Sequence, residues 1–172
     1  MDEPTVSNGR RIDKWAREHR AAIENVMWAR VEWLADWHLP RPVVLVTGAF
    51  DLMHAPHMRL LYTARQAAGP RGTVLVALNS DENVRERKGP GRPVMTWPER
   101  AAALAYMPVD VIVEFSTEDE LREIVRVSGA ELQVAGAEYF GKDTTAQLPL
   151  LCVREGGPHT SKIIERIKSN AG

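Results

Sequence analysis

The spacing of apolar residues changes near residue 40, and the two spacings predict two kinds of structure. Across residues 11–37 apolar side chains recur every three or four positions, which is the period of an amphipathic helix. Pro40 and Pro42 end this pattern, because proline cannot continue a helix. We therefore expect an N-terminal helical extension over residues 1–40, followed by one domain over residues 41–172.

Beyond residue 42, short apolar runs alternate with amphipathic stretches. The apolar runs predict buried strands at 43–48, 73–79, 109–115, 131–136 and 148–153. The stretches between and after them predict helices at 57–69, 99–107, 118–129 and 160–170, and the polar segment 82–94 predicts a loop. Continuous apolar strands separated by helices indicate a parallel sheet covered on both faces. The expected fold is a doubly wound, Rossmann-like α/β domain of five parallel strands with an added N-terminal amphipathic helix.

Composition and charge narrow the class of protein. Hydrophobic residues make up 44% and charged residues 26% of the 172 residues, and the net charge of −1 gives no basic field for nucleic acid. The single cysteine, Cys152, excludes an internal disulfide and fits a reducing compartment. No apolar run is long enough to span a bilayer, and the start MDEPTVSNGRR lacks the apolar core of a signal peptide. We expect a cytoplasmic protein without nucleic-acid or membrane partners.

The N-terminal stretch is rich in tryptophan. Four of the five tryptophans lie within residues 11–37: Trp15, Trp28, Trp33 and Trp37. Large apolar side chains on one helix need a surface to cover, either their own domain or a second copy of the chain. Both interpretations remain open from the sequence, and a homodimer is the assembly we predict.

The chemically rich loops all fall at one edge of the predicted sheet. They follow the first, second, fourth and fifth strands, at residues 47–57, 79–93, 136–139 and 154–161. In open parallel sheets, ligands bind beyond the carboxyl ends of the strands, where the strand order reverses. We therefore expect one site at this edge.

The first of these loops carries two histidines, His54 and His57, after the glycine Gly48. It has neither the lysine of a phosphate-binding P-loop nor the later glycines of a dinucleotide fingerprint. Two imidazoles at the start of a helix can donate hydrogen bonds to phosphate oxygens. The isolated pair would fit a metal pair or a solvated loop equally well, although zinc is disfavoured because no third ligand lies at suitable spacing.

Two further loops carry groups that suit phosphate. Gly156 and Gly157 give the last loop backbone freedom before Thr160 and Ser161, which are typical of a helix start. The segment RERKGPGRP, residues 85–93, is either a solvated charged face or a mobile lid that closes on a polyphosphate.

Several segments in register resemble one known family, the small nucleotidyltransferases with an H-x-G-H signature. GAFDLMHAPH is similar to the family's G-x-F-D-x-x-H-x-G-H, and TSKIIERI is similar to its final helix. ALNSDENVRERKGPGRPV and WPERAAALAYMPVDVIV resemble segments of the D-glycero-β-D-manno-heptose 1-phosphate adenylyltransferases, with the glycerol-3-phosphate cytidylyltransferases as the other near branch. The resemblance covers residues 42–168.

This resemblance implies a reaction in which an acceptor phosphate attacks the α-phosphate of a nucleoside triphosphate and pyrophosphate leaves. The nucleophile is already anionic, so catalysis consists of positioning and charge neutralisation. The implied substrates are ATP or CTP, with ATP favoured, and a sugar phosphate such as heptose 1-phosphate. Mg²⁺ is expected with the triphosphate, and no metal ligands are assigned to the protein.

The motifs also imply roles for individual residues. The implied catalytic residues are His54, His57 and Lys88. The implied nucleotide-binding residues are Thr47, Gly48, Ala49, Phe50, Gly136, Arg154, His159, Thr160 and Ser161. The implied acceptor-binding residues are Asp51, Asn79, Arg92, Arg100 and Glu138.

Three positions depart from the family pattern. Pro56 replaces the signature glycine, Ala135 stands where the heptose enzymes carry a lysine, and His159 replaces a serine or threonine. Pro56 bears on the rate and Ala135 on the acceptor. The alternative interpretation is a nucleotide-binding protein of the same fold that has little catalysis and acts as a partner or sensor.

Overall fold

The computed structural model describes residues 27–142, 144–153, 157 and 160–170. The predicted helix up to residue 26 lies outside these residues, as do two predicted site residues, Arg154 and His159. Among the helices that are described, none has the length and apolar character needed to cross a membrane.

The chain forms a parallel sheet flanked by helices. Its strands are β1 Met27–Ala29, β2 Val43–Gly48, β3 Thr73–Asn79, β4 Val111–Phe115, β5 Leu132–Gly136 and β6 Leu150–Val153. Its helices are α1 Val31–Leu34, α2 Ala55–Ala68, α3 Asp81–Lys88, α4 Trp97–Ala105, α5 Glu118–Ser128 and α6 Thr160–Asn170, with a 3₁₀ turn at Ala137–Tyr139. The predicted parallel α/β fold is confirmed, and all five predicted strands are present with boundaries shifted by up to two residues.

The strand order is β1-β4-β3-β2-β5-β6, and every pairing is parallel. From β2 the chain builds outward through β3 to β4, and then returns to the other side of β2 with β5. The order therefore reverses between β2 and β5, which is where ligands bind in sheets of this type.

Alternate residues of β2 enter two separate cores, as the pleat of a strand requires. Val44 and Val46 pack with α2 and α4, whereas Val43 and Leu45 pack with α1 and α5. The sheet is therefore covered on both faces. Its edge at the carboxyl ends of the strands carries the loops described below.

Two predictions about local structure are wrong. The predicted helix over residues 11–37 is not continuous, because Met27–Ala29 is a strand that pairs with β4 through Met27 and Val111. Ala29 and Leu34 are buried in the core that holds β2, so residues 27–34 belong to the sheet domain. Its apolar spacing fits a helix, but the open edge of β4 offers backbone hydrogen bonds that a strand can use.

The basic segment expected to be a loop is largely the helix α3, Asp81–Lys88. Ser80 caps the helix by accepting a hydrogen bond from the Asn83 amide, and acidic residues fill its first turn. The basic side chains lie in the last turn, where they complement the helix dipole. Gly89, with φ of 94°, ends the helix, so only residues 89–93 remain available as a loop.

Candidate active site

The turn after β2 is tight and holds two strained residues. Phe50 and Leu52 have φ angles of 48° and 53°, in the left-handed region that non-glycine residues rarely adopt. A Cβ atom at Gly48 would lie 3.1 Å from the Phe50 ring, so any larger residue here would require that ring to shift. The turn delivers His54 to the start of α2, and backbone strain of this kind is typical of functional sites.

The two histidines lie face to face. Their ring centroids are 3.9 Å apart with planes 8° apart, and the Phe50 ring lies 5.1 Å from His57 on a tilt of 51°. The Thr160 hydroxyl, at the start of α6, donates to the Asp51 carbonyl at 2.9 Å and lies 3.3 Å from His54 Nε2. A hydroxyl has one proton, so His54 Nε2 carries the proton between these two atoms and donates it to Thr160.

Pro56 is the second residue of α2 and is buried. At this position a proline removes only an amide that has no partner within the helix. A Cβ atom placed on Gly157 would lie 3.3 Å from two atoms of the Pro56 ring, and Gly157 has φ of 143°. The proline ring therefore packs against a glycine of the loop that leads into α6.

Asp51 is a clamp rather than an open carboxylate. Its side chain is 1% exposed and accepts hydrogen bonds from Arg92 Nε at 2.7 Å, the Val94 amide at 2.9 Å and the Met95 amide at 3.0 Å. Burial raises the pKa of Asp51, but the two amides and Arg92 outweigh it and hold the pKa below the usual 3.8. Asp51 therefore holds the 92–95 segment, and its contact with the acceptor stays a prediction.

Arg100 lies behind the site and not in it. Its side chain is fully buried, with Nη2 donating to the Asn79 carbonyl at 2.8 Å and to Asp81 Oδ1 at 2.7 Å. Nη1 donates to the Ala49 carbonyl and Nε to the Met95 carbonyl. The guanidinium ties together the ends of β2 and β3 and the start of α4, and its contact with substrate stays a prediction.

Most of the predicted residues surround one cavity of about 200 Å³ at the reversal point of the sheet. It is lined by Thr47, Gly48, Ala49, Phe50, Asp51, His54, His57, Lys88, Arg92, Gly136, Glu138, Thr160 and Ser161, together with Leu60, Ala135 and Tyr139. We call it the histidine cavity. The sequence motifs therefore converge in space, although they are separated by up to about a hundred positions along the chain.

Cationic groups face the histidine cavity. Partial desolvation lowers the pKa of Lys88, the nearby Arg92 guanidinium lowers it further, and Asp51 opposes the shift. Arg92 Nη2 is buried and has no hydrogen-bond partner among the described residues. A phosphate placed here would accept a hydrogen bond from Arg92 Nη2 and would lie beside the Lys88 ammonium.

A second cavity, of about 430 Å³, opens on the α5 side of the sheet. We call it the amide cavity, because Asn79, Asn83 and Gln133 line it beside Thr144 and Thr145. It shares Thr47, Gly48, Ala49, Lys88 and Tyr139 with the histidine cavity, so the two spaces meet at the end of β2. Asn79 thus lies next to the other predicted residues but outside their cavity.

Sequence reasoning missed Gln133, Asn83 and Thr144. The signal for Gln133 was present, because it is a single amide inside the otherwise apolar strand LQVAG. Thr144 lies in an irregular segment that joins β5 to β6, and no local pattern placed it near the end of β2.

The doubly wound sheet and the cavity of histidines and cations at its reversal point define the class: an α/β domain with a ligand site built on the first strand–helix turn. The cytidylyltransferase-like family model matches residues 45–154, and the chain belongs to this family.

The chain is also similar to individual known proteins. It is 36% identical over 143 residues to the bifunctional protein HldE of Psychromonas ingrahamii, covering 78% of this chain and 29% of that one. It is 40% identical over 138 residues to the bifunctional protein HldE of Shewanella piezotolerans, covering 74% and 28%. This chain thus spans less than a third of the length of these relatives.

A solved structure shares the fold. The lipopolysaccharide core biosynthesis protein from Thermoplasma volcanium superposes with a TM-score of 0.54 at 18% identity. The match covers 67% of this chain and 98% of that one.

Proposed function

We propose that this protein is a nucleotidyltransferase that transfers AMP from ATP to a sugar phosphate such as heptose 1-phosphate and releases pyrophosphate. The observation that carries the proposal is the stacked pair His54 and His57 in a cavity that meets a second cavity at Lys88. Two adjoining spaces with a cation, Lys88, at their junction suit a reaction between two phosphorylated substrates.

The triphosphate fits the histidine cavity. His54, at the N-cap of α2, places an imidazole beside the free amides and the positive dipole end of the helix. Lys88 and the free Nη2 of Arg92 add positive charge and a hydrogen-bond donor. These groups neutralise charge that develops on the α-phosphate and on the leaving pyrophosphate.

The acceptor fits the amide cavity. Amides and hydroxyls line it beside Arg87 and Glu118, and these polar groups suit the hydroxyl groups of a sugar. Lys88 lies at its junction with the histidine cavity. An acceptor phosphate oxygen there forms a bond to the α-phosphorus while the bond to the pyrophosphate oxygen breaks. The acceptor oxygen is already anionic, so no side chain needs to remove a proton.

Mg²⁺ fits this site as a companion of the triphosphate. Among the described residues, no group of three or more His, Cys, Asp or Glu side chains is placed to hold a metal ion. Asp51 is engaged with the 92–95 segment, which leaves Glu138 as a carboxylate at the cavity wall. When bound, Mg²⁺ would withdraw charge from the phosphate oxygens.

The choice of AMP and of a heptose phosphate rests on the resemblance of residues 77–94 to the heptose enzymes and on the similarity to the HldE proteins. Ala135, which lines the histidine cavity, stands where the heptose enzymes carry a lysine and is the departure that bears on the acceptor.

The test is pyrophosphate release across a matrix of ATP, CTP, GTP and UTP against several sugar 1-phosphates, with Mg²⁺. We expect the highest kcat/KM with ATP and a heptose 1-phosphate. Pyrophosphate release with another pair of substrates would support the proposed reaction type but change the assigned substrates. If no combination of nucleotide and sugar phosphate releases pyrophosphate while nucleotide binding is still measurable by calorimetry, the result would favour a binding protein instead.

A further inference from the structure

The buried amide of Gln133 is placed by strand register. Gln133 of β5 lies opposite Leu45 of β2, and Thr47 is two residues further along β2 on the same face of the sheet. Gln133 is 3% exposed. A buried amide needs hydrogen-bond partners, and here it has one on each side.

These hydrogen bonds have a direction. The Thr144 hydroxyl donates to Gln133 Oε1 at 2.7 Å, and Gln133 Nε2 donates to Thr47 Oγ1 at 3.2 Å. Thr47 therefore uses its oxygen as an acceptor and keeps its proton to donate. Within the part of the chain that the structure describes, no acceptor is recorded for that proton.

Thr47 lies where its hydroxyl proton can meet a ligand in either cavity. It lines both the histidine cavity and the amide cavity, whereas Gln133 and Thr144 line only the amide cavity. Lys88 lines both cavities as well. A phosphoryl oxygen that bridges the two spaces would meet a hydroxyl donor from β2 and a cation from α3.

We propose that Thr144, Gln133 and Thr47 form a directed hydrogen-bond chain that presents the Thr47 proton to a phosphoryl oxygen at the junction of the two cavities. The proposal rests on the proposed function, because it needs phosphate in both spaces. Thr47 is then a catalytic residue that touches substrate. Gln133 and Thr144 are positioning residues that act through it.

The first test replaces the donor itself. Thr47→Val keeps the shape and β-branching of the side chain and removes the hydroxyl, so we expect kcat/KM for the acceptor to fall about 10- to 100-fold. Thr47→Ser restores a donor and should stay within about threefold of the unmodified protein. Thr63→Val, on α2 and outside both cavities, is the matched control and should leave kcat/KM unchanged.

The second test asks whether Gln133 works through Thr47. Gln133→Leu should lower kcat/KM by about 10-fold. If the leucine variant does not fold, Gln133→Met is used in its place. Combined with Thr47→Val, either change should cost less than about twofold beyond Thr47→Val alone, because the chain has already been broken. A purely structural role of Gln133 would lower the melting temperature and multiply the two losses in rate.

Thr47→Val with unchanged kcat/KM would overturn the proposal, as would losses that multiply in the double variant. If the unmodified protein turns over no substrate pair, the proposed function has failed separately. The same variants are then compared by calorimetry with inorganic tripolyphosphate, where about 10-fold weaker binding to Thr47→Val supports the donor. Equal affinity would overturn it.

Discussion

His54 and His57 stack with their ring planes 8° apart, and the Thr160 hydroxyl lies 3.3 Å from His54 Nε2. Segments about a hundred residues apart thus meet at one imidazole. The stack fixes both rings beside the amides at the start of α2, where a phosphate would sit. Preorganised donors of this kind require no rearrangement as charge develops.

Removing either imidazole should abolish most of the activity. We expect His54→Ala or His57→Ala to lower kcat at least about 100-fold while the fold is retained, because each ring acts on transition-state charge. Steady-state pyrophosphate release and circular dichroism measure the two effects. His38→Ala, in an exposed position before β2, serves as the control. Near-normal turnover in both variants would show that His54 and His57 are not catalytic.

Lys88 should contribute to triphosphate binding as well as to rate. Lys88→Ala removes a cation that lines both cavities, and we expect nucleotide affinity and kcat each to fall by about 10-fold or more. Calorimetry and initial rates report these separately. Arg85→Ala, one turn earlier on α3 and outside both cavities, removes the same charge without the contact. If Lys88→Ala and Arg85→Ala change nucleotide affinity and kcat by the same factor, residues 85–93 would be interpreted as a solvated charged face.

Asp51 should support stability in a pH-dependent way. Asp51→Asn weakens the contacts to Arg92 and the two amides, and should lower the free energy of unfolding by about 1–3 kcal/mol near neutral pH. The folded-state pKa lies below 3.8, so the carboxylate's contribution is complete above that value and is lost as the pH falls through the folded pKa.

Denaturant titrations at several pH values measure this contribution. The difference between the unmodified protein and Asp51→Asn should shrink below pH 3.8. Asp36→Asn, at an exposed position, should show no such difference. If the difference in free energy of unfolding stays constant down to the acid transition, the proposed role of the Asp51 carboxylate in holding the 92–95 segment would be contradicted.

Pro56→Gly should separate rate from stability. Glycine restores an amide at the helix start and removes ring bulk, so turnover should rise or stay within a few-fold, while stability falls by about 1 kcal/mol. Kinetics and thermal melting distinguish the two effects. Pro98→Gly provides the control, because Pro98 is also the second residue of its helix, α4, and lies outside both cavities.

A large loss of turnover in Pro56→Gly at unchanged stability would make the contact between Pro56 and Gly157 part of the pocket's shape. The heptose phosphate acceptor would then be the first assignment to revise, before the fold.

The N-terminal segment is best tested by two truncations. Removing residues 1–38 takes away β1 and α1, so we expect exposed apolar surface at the β4 edge and a lower melting temperature. Removing residues 1–26 leaves both elements in place and serves as the comparison. If the predicted homodimer forms through this segment, light scattering should show a monomer for the chain that lacks residues 1–38. If both truncated chains keep the same number of subunits in solution as the full chain, an interface in this segment would be excluded.

Local chemistry in the sequence was enough to predict the five strands from β2 to β6. The apolar runs of β2 and β3 are buried on both faces, and that burial leaves a direct trace in the residue pattern, whereas β6 is only partly buried. The same holds for the helices that begin after His54 and at Thr160, whose apolar residues recur at helical spacing.

Tertiary structure alone decided three other features. Residues 27–29 became a strand because β4 had a free edge, which helical spacing cannot reveal. Arg100 was drawn inward by carbonyl groups of Ala49 and Asn79, which only the folded sheet brings together. Gln133, Thr47 and Thr144 form one hydrogen-bond chain because strand register and a distant segment meet at one point, and such coincidences in space have no local signature in the sequence.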